Sequence, residues 1–292
     1  MTIGGRIGDQ TYSAFSQSAK GSKAFGHAEG GGILSALDMC LYASSAYAET
    51  LGGGISYFED GDLPEQLDLI LVFGGDGSVL RAAQDAVRLN IPILGVNLGR
   101  LGFLNELEVD RLEDLSCLAT GEYVEKTKMM LSVTVHRKEG DEVLPMQCLN
   151  DVVISGMGHL ADMCLMEGSH TAIEYRADGI VVSTPSGSTA YSLSAGGAIV
   201  DDRLDVLLVT PICPRSFFAR SVIFMPDEVL RVQNGSERNV SLSLVCDGVD
   251  FGAICPGESV SICKAPKKLK MIGFQQYSTM RVLQRKMKMQ NF

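Results

Sequence analysis

Leu69-Ile70-Leu71-Val72-Phe73 is an unbroken apolar run, and Gly74-Gly75-Asp76-Gly77-Ser78 follows it at once. Five apolar residues closed by glycines read as a short strand buried on both faces. The glycines give the next few residues a backbone freedom that side chains would deny. From Ser78 the apolar period changes, and Val79, Ala82, Ala83, Ala86 and Val87 fall on one helical face. The unit is therefore strand, tight turn and helix, with Ser78 where an N-cap or first-turn residue belongs. Bare amides at a helix start suit a phosphate. A carboxylate there, Asp76, repels such a ligand unless it has work to do. It either takes a proton from an attacking hydroxyl or holds Mg2+ against phosphate oxygens. The plain alternative is a turn aspartate that satisfies its own loop.

The stretch Ile91–Asn97 is a second short apolar strand, with Pro92 near its start where a ladder donor is least missed. Strand–helix–strand at this spacing is a βαβ unit with parallel strands. Ligands bind such sheets beyond the carboxyl ends of the strands. The Gly74–Gly77 turn and the segment Gly99-Arg100-Leu101-Gly102-Phe103-Leu104 both fall at that edge. Phe103 is either an aromatic face for a base or a core residue.

Upstream, residues 1–32 are rich in Gly, Ser and Ala and offer no convincing strand, which leaves that half of the sheet incomplete. Ile33 to Leu51 carries a helical face, and a linking helix is expected over residues 107–121. Beyond Thr127 the texture changes to short apolar or alternating segments separated by turn residues: 130–135, 147–155, 162–165, 179–183, 206–209, 221–224, 229–233, 240–245 and 260–263. That is the signature of a largely antiparallel, sandwich-like β domain. The fold class expected is an α/β N-terminal domain with a parallel Rossmann-like sheet, plus an all-β C-terminal domain. The domains run over 1–124, joined by a returning tail at 265–292, and over 125–264. In that tail Leu269, Met271 and Ile272 read as a strand and Met280–Met287 as a helix. From Lys264 onward there are eight Lys or Arg and no acid. This reads as a solvated cationic face, with a dedicated anion site as the alternative.

A formal charge of −10 argues against a general nucleic-acid binder, which needs a basic face. Eight scattered cysteines without a C-x-x-C pair fit a reducing compartment, and the cytoplasm is the location expected. The four histidines lack metal-ligand spacing, so no protein-caged metal is expected. No apolar run approaches the ~20 residues that span a bilayer, and no membrane partner is expected.

Two segments of the β domain carry chemistry. Asn150-Asp151 opens the apolar run Val152–Ile154. The pair is either turn chemistry or an amide and a carboxylate presented to vicinal hydroxyls, as sugar recognition requires. Residues 175–197, from Tyr175-Arg176-Ala177-Asp178 to Ala195-Gly196-Gly197, crowd hydroxyls and glycines around a buried strand. Hydroxyls and loop amides bond phosphate or ribose oxygens, and Tyr191 offers a ring to stack on a base. A Ser/Thr-rich turn is the plain alternative.

Together these segments resemble the NAD kinase family. Gly74-Gly75-Asp76-Gly77-Ser78 is similar to its first motif, Gly99-Arg100-Leu101-Gly102-Phe103 to its next loop, and Asn150-Asp151 to its Asn-acidic motif. Thr184-Pro185-Ser186-Gly187-Ser188-Thr189-Ala190-Tyr191 with Ser192-Leu193-Ser194-Ala195-Gly196-Gly197 resembles its most specific signature. Thr210-Pro211-Ile212 and Cys246-Asp247-Gly248 also fit. The first motif alone is shared with lipid kinases and 6-phosphofructokinases. The resemblance implies transfer of the ATP γ-phosphoryl group to the adenosine 2′-hydroxyl of NAD, with Mg2+ or another divalent cation, giving NADP. It implies Asp76 as the catalytic base and Gly74, Gly75 and Gly77 at the phosphates, with Phe103 beside them. It also places Asn150 and Asp151 on NAD ribose hydroxyls and Asp178 on NAD. Arg176 would lie near the dinucleotide across a subunit interface, Thr189, Ala190, Tyr191 and Ser194 would line its pocket, and Cys213 would occupy a contact position. A homodimer or homotetramer built through the β domain is expected. The rival readings are a related lipid or sugar kinase, and a dinucleotide sensor without catalysis, to which the unusual N-terminus lends weight.

Overall fold

The structure, a computed structural model, describes residues 39–51, 55–59, 62–64, 66–98, 102–156, 158–168, 170–216, 219–236, 240–274 and 283–284, and 2–7 and 10–15 as backbone. Met1–Thr127 with Leu269–Phe292 form one compact unit, and Lys128–Lys268 form another.

The first unit is built on a mixed sheet. Its strands are β1 (Thr2–Ile7), β2 (Gln10–Phe15), β5 (Leu69–Phe73), β6 (Ile93–Asn97), β7 (Leu107–Glu108), β8 (Val124–Lys128) and the last strand of the chain, β21 (Leu269–Gly273). The order is β1-β2-β5-β6-β21-β8, with β7 also on β6. Strands β2, β5, β6 and β21 run parallel, and β1 is antiparallel to β2. All five residues of β5 and all five of β6 are buried, as strands covered on both faces require. The helix Asp76–Leu89 lays Val79, Ala82, Ala83, Ala86 and Val87 inward. It stops at Asn90, a left-handed C-terminal residue (φ 59°) whose N–H reaches Ala86 O. The return of β21 to β6 meets the expected tail strand. The tail helix expected over 280–287 lies outside the described residues, apart from 283–284. Of the cationic run, Lys264 and Lys268 both pair with Asp205, at 2.8 and 2.7 Å, in the second unit.

Three local expectations are corrected. Residues 1–32 are not without strands, because β1 and β2 complete the sheet edge beside β5. That removes the feature on which the sensor reading leaned. The helix expected over 33–51 is, where described, a strand β3 (Leu41–Ser44), a 3₁₀ turn Ser45–Tyr47 and one turn of helix Ala48–Leu51. Strand β3 pairs in parallel with β4 (Ile55–Phe58), and a distant partner outweighs local period there. The linking helix over 107–121 begins as β7 and continues as a 3₁₀ stretch Val109–Ser116, broken at Arg111, before one α turn at Cys117–Thr120. Leu112, Leu115 and Leu118 are all buried. Their spacing of three is the period of a 3₁₀ helix, not of an α-helix.

The second unit is a β sandwich. Its strands are β9 (Leu131–Arg137), β10 (Gly140–Val143), β11 (Asp151–Ser155), β12 (Ala161–Glu167), β13 (His170–Ala177), β14 (Gly179–Ser183), β15 (Leu207–Ile212), β16 (Val222–Phe224), β17 (Leu230–Asn234), β18 (Leu242–Cys246), β19 (Val249–Ile254) and β20 (Ser259–Lys264). One sheet runs β10-β9-β20-β17-β12-β13 and the other β16-β15-β14-β11-β18-β19, with the neighbouring strands antiparallel. Val133, Val135, Met163, Leu165, Val260 and Ile262 from one sheet share a core with Val152, Ile154, Ile180, Val182, Leu207 and Leu244 from the other. On the outer face of the second sheet, Val153, Val181 and Ile212 are buried together, with Ala195 and the neighbouring-strand Val245 packed against them. Strands β11 and β14 are thus buried on both faces, and their polar neighbours must find partners without water.

Leu244 is fully buried in the shared core. Leu244→Ala is expected to lower unfolding free energy by about 2–5 kcal/mol. A urea midpoint within experimental error of wild type contradicts the sandwich packing described.

Candidate functional site

The first group of site residues forms where β5 hands over to its helix. Gly74 N–H reaches Val96 O at 2.9 Å, which ties the turn to β6. Gly75 is the N-cap, extended and without a side chain to cap, and Asp76 is the first helical residue. The opening amides of a helix lack intrahelical partners, so this end remains suited to an anion. Asp76 itself is engaged. Phe103 N–H donates to Oδ2 at 2.8 Å, Leu104 N–H to Oδ1 at 3.1 Å and Asn105 Nδ2 to Oδ1 at 3.2 Å. Gly102 packs so close that an added Cβ would collide with Oδ1. Asp76 therefore gathers a loop 27 residues downstream, a structural role that a turn reading confined to its own loop did not foresee. A carboxylate accepts at about four lone-pair positions, so one remains for a further donor. Phe103 is half-buried, neither a core residue nor a fully presented ring. Residues 99–101 of the same loop lie outside the described residues.

The second group forms at one end of the buried strands β11 and β14. Asp151 opens β11, opposite Ser183 at the end of β14, and Val152 faces Cys246 at the end of β18. The β18–β19 hairpin turns through Asp247 (φ 46°) and Gly248 (φ 81°), the two left-handed residues of a type I′ turn. From that turn the Asp247 carboxylate folds back over the start of β11. It accepts from Leu149 N–H at 2.6 Å, Asn150 N–H at 2.8 Å and Asp151 N–H at 3.0 Å. Asp247 N–H returns a bond to Asp151 O at 3.0 Å. On the other side, Thr184 Oγ1 donates to Leu149 O at 2.6 Å and Thr184 N–H to Asn150 O at 2.9 Å. Gly187 lies flat on Asn150, where any Cβ would strike the Asn150 carbonyl. The backbone of 149–151 is thereby fixed from both sides, and Asn150 is left half-buried at its apex.

The hydroxyl-rich segment divides in two. Thr184, Ser188 and Ser192 are buried and spent on structure. Ser188 Oγ donates to Pro185 O at 2.7 Å and accepts from Val200 N–H at 3.0 Å, and Ser192 Oγ bonds Thr210 Oγ1 at 2.8 Å. The turn reading accounts for these three. Thr189 and Ala190 are half-buried, while Tyr191 and Ser194, on the single helical turn Tyr191–Ser194, are exposed. Tyr191 N–H also donates to the Asp151 carboxylate, which joins this segment to the Asn150–Asp151 end.

Asp151 and Asp247 are two buried carboxylates side by side. Burial, then the charge of Asp247, raise Asp151 to about 7, against a smaller lowering by the Tyr191 amide. Burial also raises Asp247, but its three amide donors pull the other way. With three amide donors against one, Asp247 holds its charge more readily, and Asp151 is the member that takes up a proton first.

Arg176, Asp178 and Cys213 gather elsewhere. Asp178 precedes β14, and its N–H reaches Ile212 O at 3.0 Å. Arg176 is exposed, 3.5 Å from Asp162, and its carbonyl accepts from Arg215 N–H at 2.8 Å. Cys213 is exposed with φ 45°. These three stand at the opposite end of β14 from Ser183, roughly 16 Å away at ~3.3 Å per residue. The second unit thus presents two separate polar ends. Sequence reasoning left out Thr184 and Asp247 as site residues. Asp247-Gly248 reads as a hairpin turn, which it is, and nothing local discloses that its side chain reaches another strand.

Comparison with known proteins gives one answer. The model described as the ATP-NAD kinase N-terminal domain matches residues 57–123, and that of the ATP-NAD kinase C-terminal domain matches residues 149–274. The chain is 40% identical over 226 residues to an NAD kinase of Symbiobacterium thermophilum, covering 76% of this chain and 79% of that one. It is 37% identical over 242 residues to an NAD kinase of Carboxydothermus hydrogenoformans, covering 82% and 86%. In fold it resembles a yeast NADH kinase solved with NADH, with TM-score 0.81, 23% identity and coverage of 93% and 85%. It also resembles an NAD kinase from Archaeoglobus fulgidus solved with ATP, with TM-score 0.62, 22% identity and coverage of 80% and 91%.

The raised Asp151 makes a prediction about pH. Unfolded, this carboxyl titrates near 3.9, and folded it titrates near 7. Between those values the native state holds the extra proton, so raising the pH costs stability. The contribution is complete below about pH 4 and is lost as pH rises through 7, at no more than about 1.4 kcal/mol per pH unit. Melting temperature should therefore fall between pH 5 and 8 more steeply in wild type than in Asp151→Asn. Parallel curves for the two proteins contradict the assignment.

Proposed function

The chain belongs to the NAD kinase family, and we propose from that premise that it moves the γ-phosphoryl group of ATP to the adenosine 2′-hydroxyl of NAD, giving NADP. It is an enzyme of the family's kind; the donor, the acceptor atom and the residue roles are what is proposed. The observation that carries the reading is the Gly74–Gly77 turn. It opens a helix with bare glycines and a single carboxylate whose position is set by three donors. Two proteins of this fold were solved with NADH and with ATP, which supports the substrate classes.

In this reading Asp76 takes the proton from the attacking hydroxyl through its remaining lone pair, and the helix-start amides hold phosphate oxygens. Asn150 offers an amide and Asp151 a carboxyl to ribose hydroxyls, with the Tyr191 ring beside them for the base. Thr189, Ala190 and Ser194 line the same pocket. The resemblance implied NAD contacts for Arg176, Asp178 and Cys213, with Arg176 reaching across a subunit interface. Because they stand at the far end of β14, the reading here is that all three meet a dinucleotide held by a neighbouring subunit. Assembly as a dimer or tetramer through the β unit belongs to this proposal. Ile223 on the edge strand β16 and Met225 just past it, 55% and 68% exposed, would profit from cover.

Among the described residues no group of three or more His, Cys, Asp or Glu side chains is arranged to hold a metal ion. In this reading a divalent cation such as Mg2+ would be held mainly by substrate phosphates and water, with at most a carboxylate from the protein, for which Asp76 keeps an open lone pair. Such an ion, when bound, would neutralise charge on the transferring phosphate.

Incubation of the protein with NAD and MgATP should yield NADP, and a donor panel including polyphosphate would define its range. Tight NAD binding without product would favour the sensor reading. Asp76→Asn should keep the fold, with a lower melting temperature because one oxygen no longer accepts from the 103–105 loop, and should lose about 10²–10⁴-fold in turnover. A variant with near-wild-type rate removes Asp76 from the chemistry.

A further inference from the structure

We propose that Asp247 is a positioning residue for dinucleotide binding: its carboxylate, clasping three successive amides, sets where Asn150 and Asp151 stand. The proposal rests on the reading that Asn150 and Asp151 meet NAD ribose hydroxyls.

The geometry separates this role from ordinary turn chemistry. A type I′ turn needs only left-handed residues, and Asn-Gly satisfies it as well as Asp-Gly. The turn itself therefore does not explain a carboxylate at 247. The side chain instead leaves its own hairpin for residues 96 to 98 positions away in sequence, taking Leu149, Asn150 and Asp151 N–H at 2.6–3.0 Å. Those amides lie at the end of a buried ladder, where leaving a donor unmet is costly. A neutral acceptor could meet one or two of them. Only a carboxylate offers two oxygens with no hydrogen of its own to clash with the third.

Charge adds a second consequence. The titratable groups around Asp247 are Asp151, Cys148 and Cys246. The hydrogen bond to Cys246 and burial push the Cys148 thiol well up, so it stays uncharged. Among the described residues no Lys or Arg forms an ion pair with Asp247. Its negative charge is therefore felt by Asp151, which sits on the same backbone knot and reaches the Tyr191 amide. Asp247 thereby fixes both the position of the ribose-binding pair and the pH at which Asp151 is charged.

Asp247→Asn is the informative variant, because it preserves the turn and removes one acceptor oxygen and the charge. The expected result is a rise of tenfold or more in KM for NAD, with KM for ATP changed less than twofold. The pH inflection in NAD affinity should move to lower pH. Equal loss toward both substrates, or a lower melting temperature with KM for NAD within twofold of wild type, overturns the proposal. Asp151→Ala, measured alongside, separates the two levels. If Asp151→Ala binds NAD normally, the ribose reading fails and takes this one with it. If Asp151→Ala is weakened and Asp247→Asn is not, only Asp247 loses its role. Should Asp247→Asn fail to fold, hydrogen exchange on the wild-type protein decides. The Asn150 and Asp151 amides should be protected before NAD is added, and rapid exchange there contradicts the clasp.

Discussion

A buried sheet cannot end without providing for its backbone. Strands β11 and β14 are covered on both faces, so where their ladder stops, the N–H and C=O groups of 149–151 have no water to turn to. The chain meets this constraint with side chains from two other places. Thr184, just past β14, bonds the Leu149 carbonyl. Asp247, in the β18–β19 turn, takes the amides. Each such bond contributes only about 0.5–1.5 kcal/mol net, yet leaving the groups unmet would cost more. The polar end of the sandwich is thus a structural necessity before it is a binding surface. Asn150 stands at its apex because the backbone below has been immobilised.

The same economy explains why two carboxylates share one buried corner. Bringing like charges together in low dielectric is unfavourable, and the ordinary relief is a proton on one of them. Here the donors decide which. Asp247 has three amides and Asp151 has one. Asp151 is therefore left as the adjustable partner. A carboxyl in that state can either donate to or accept from a sugar hydroxyl, which is more versatile than a fully ionised side chain on the surface.

Much of this was readable beforehand. The apolar run at 69–73, the glycine turn and the helix period fixed one βαβ unit to within two residues at either end of its helix. The alternating segments foretold most of the sandwich, and β14 fell on residues 179–183. Of the strands that escaped, β8 is Val-Glu-Lys-Thr-Lys and β10 is exposed throughout, while β13 and β19 break their apolar residues with charges or a glycine, as in Ile173-Glu174-Tyr175 and Val249-Asp250-Phe251-Gly252. The leucines at 112, 115 and 118 are visible in the sequence, but their spacing alone does not separate a 3₁₀ stretch from an α-helix. Hydroxyls were harder. Nothing in the spelling of Thr184, Ser188 and Ser192 tells that they serve the backbone while Thr189 and Ser194 do not. That distinction comes from burial, which depends on strands elsewhere. Asp247 was illegible for the same reason, since its partners lie on another strand.

The two units, each taken by itself, reach the same device. In the first, Asp76 draws in the amides of Phe103 and Leu104 and the Asn105 side chain, and Gly102 allows the approach. In the second, Asp247 draws in three amides, and Gly187 allows the Asn150 backbone to lie close to the Thr184 loop. In both, a carboxylate substitutes for water at the end of a buried strand, and a glycine removes the Cβ that would hold the loop away. Groups so fixed need little reorganisation when a charged ligand arrives, which is where an enzyme that moves phosphate gains most of its rate. The difference lies in what is left over. Asp76 keeps one lone pair and stands beside the opening amides of a helix, so its residual capacity faces an anion site. Asp247 is sealed, and hands its influence to Asp151. One carboxylate is placed to meet a reacting proton, and the other to place its neighbours.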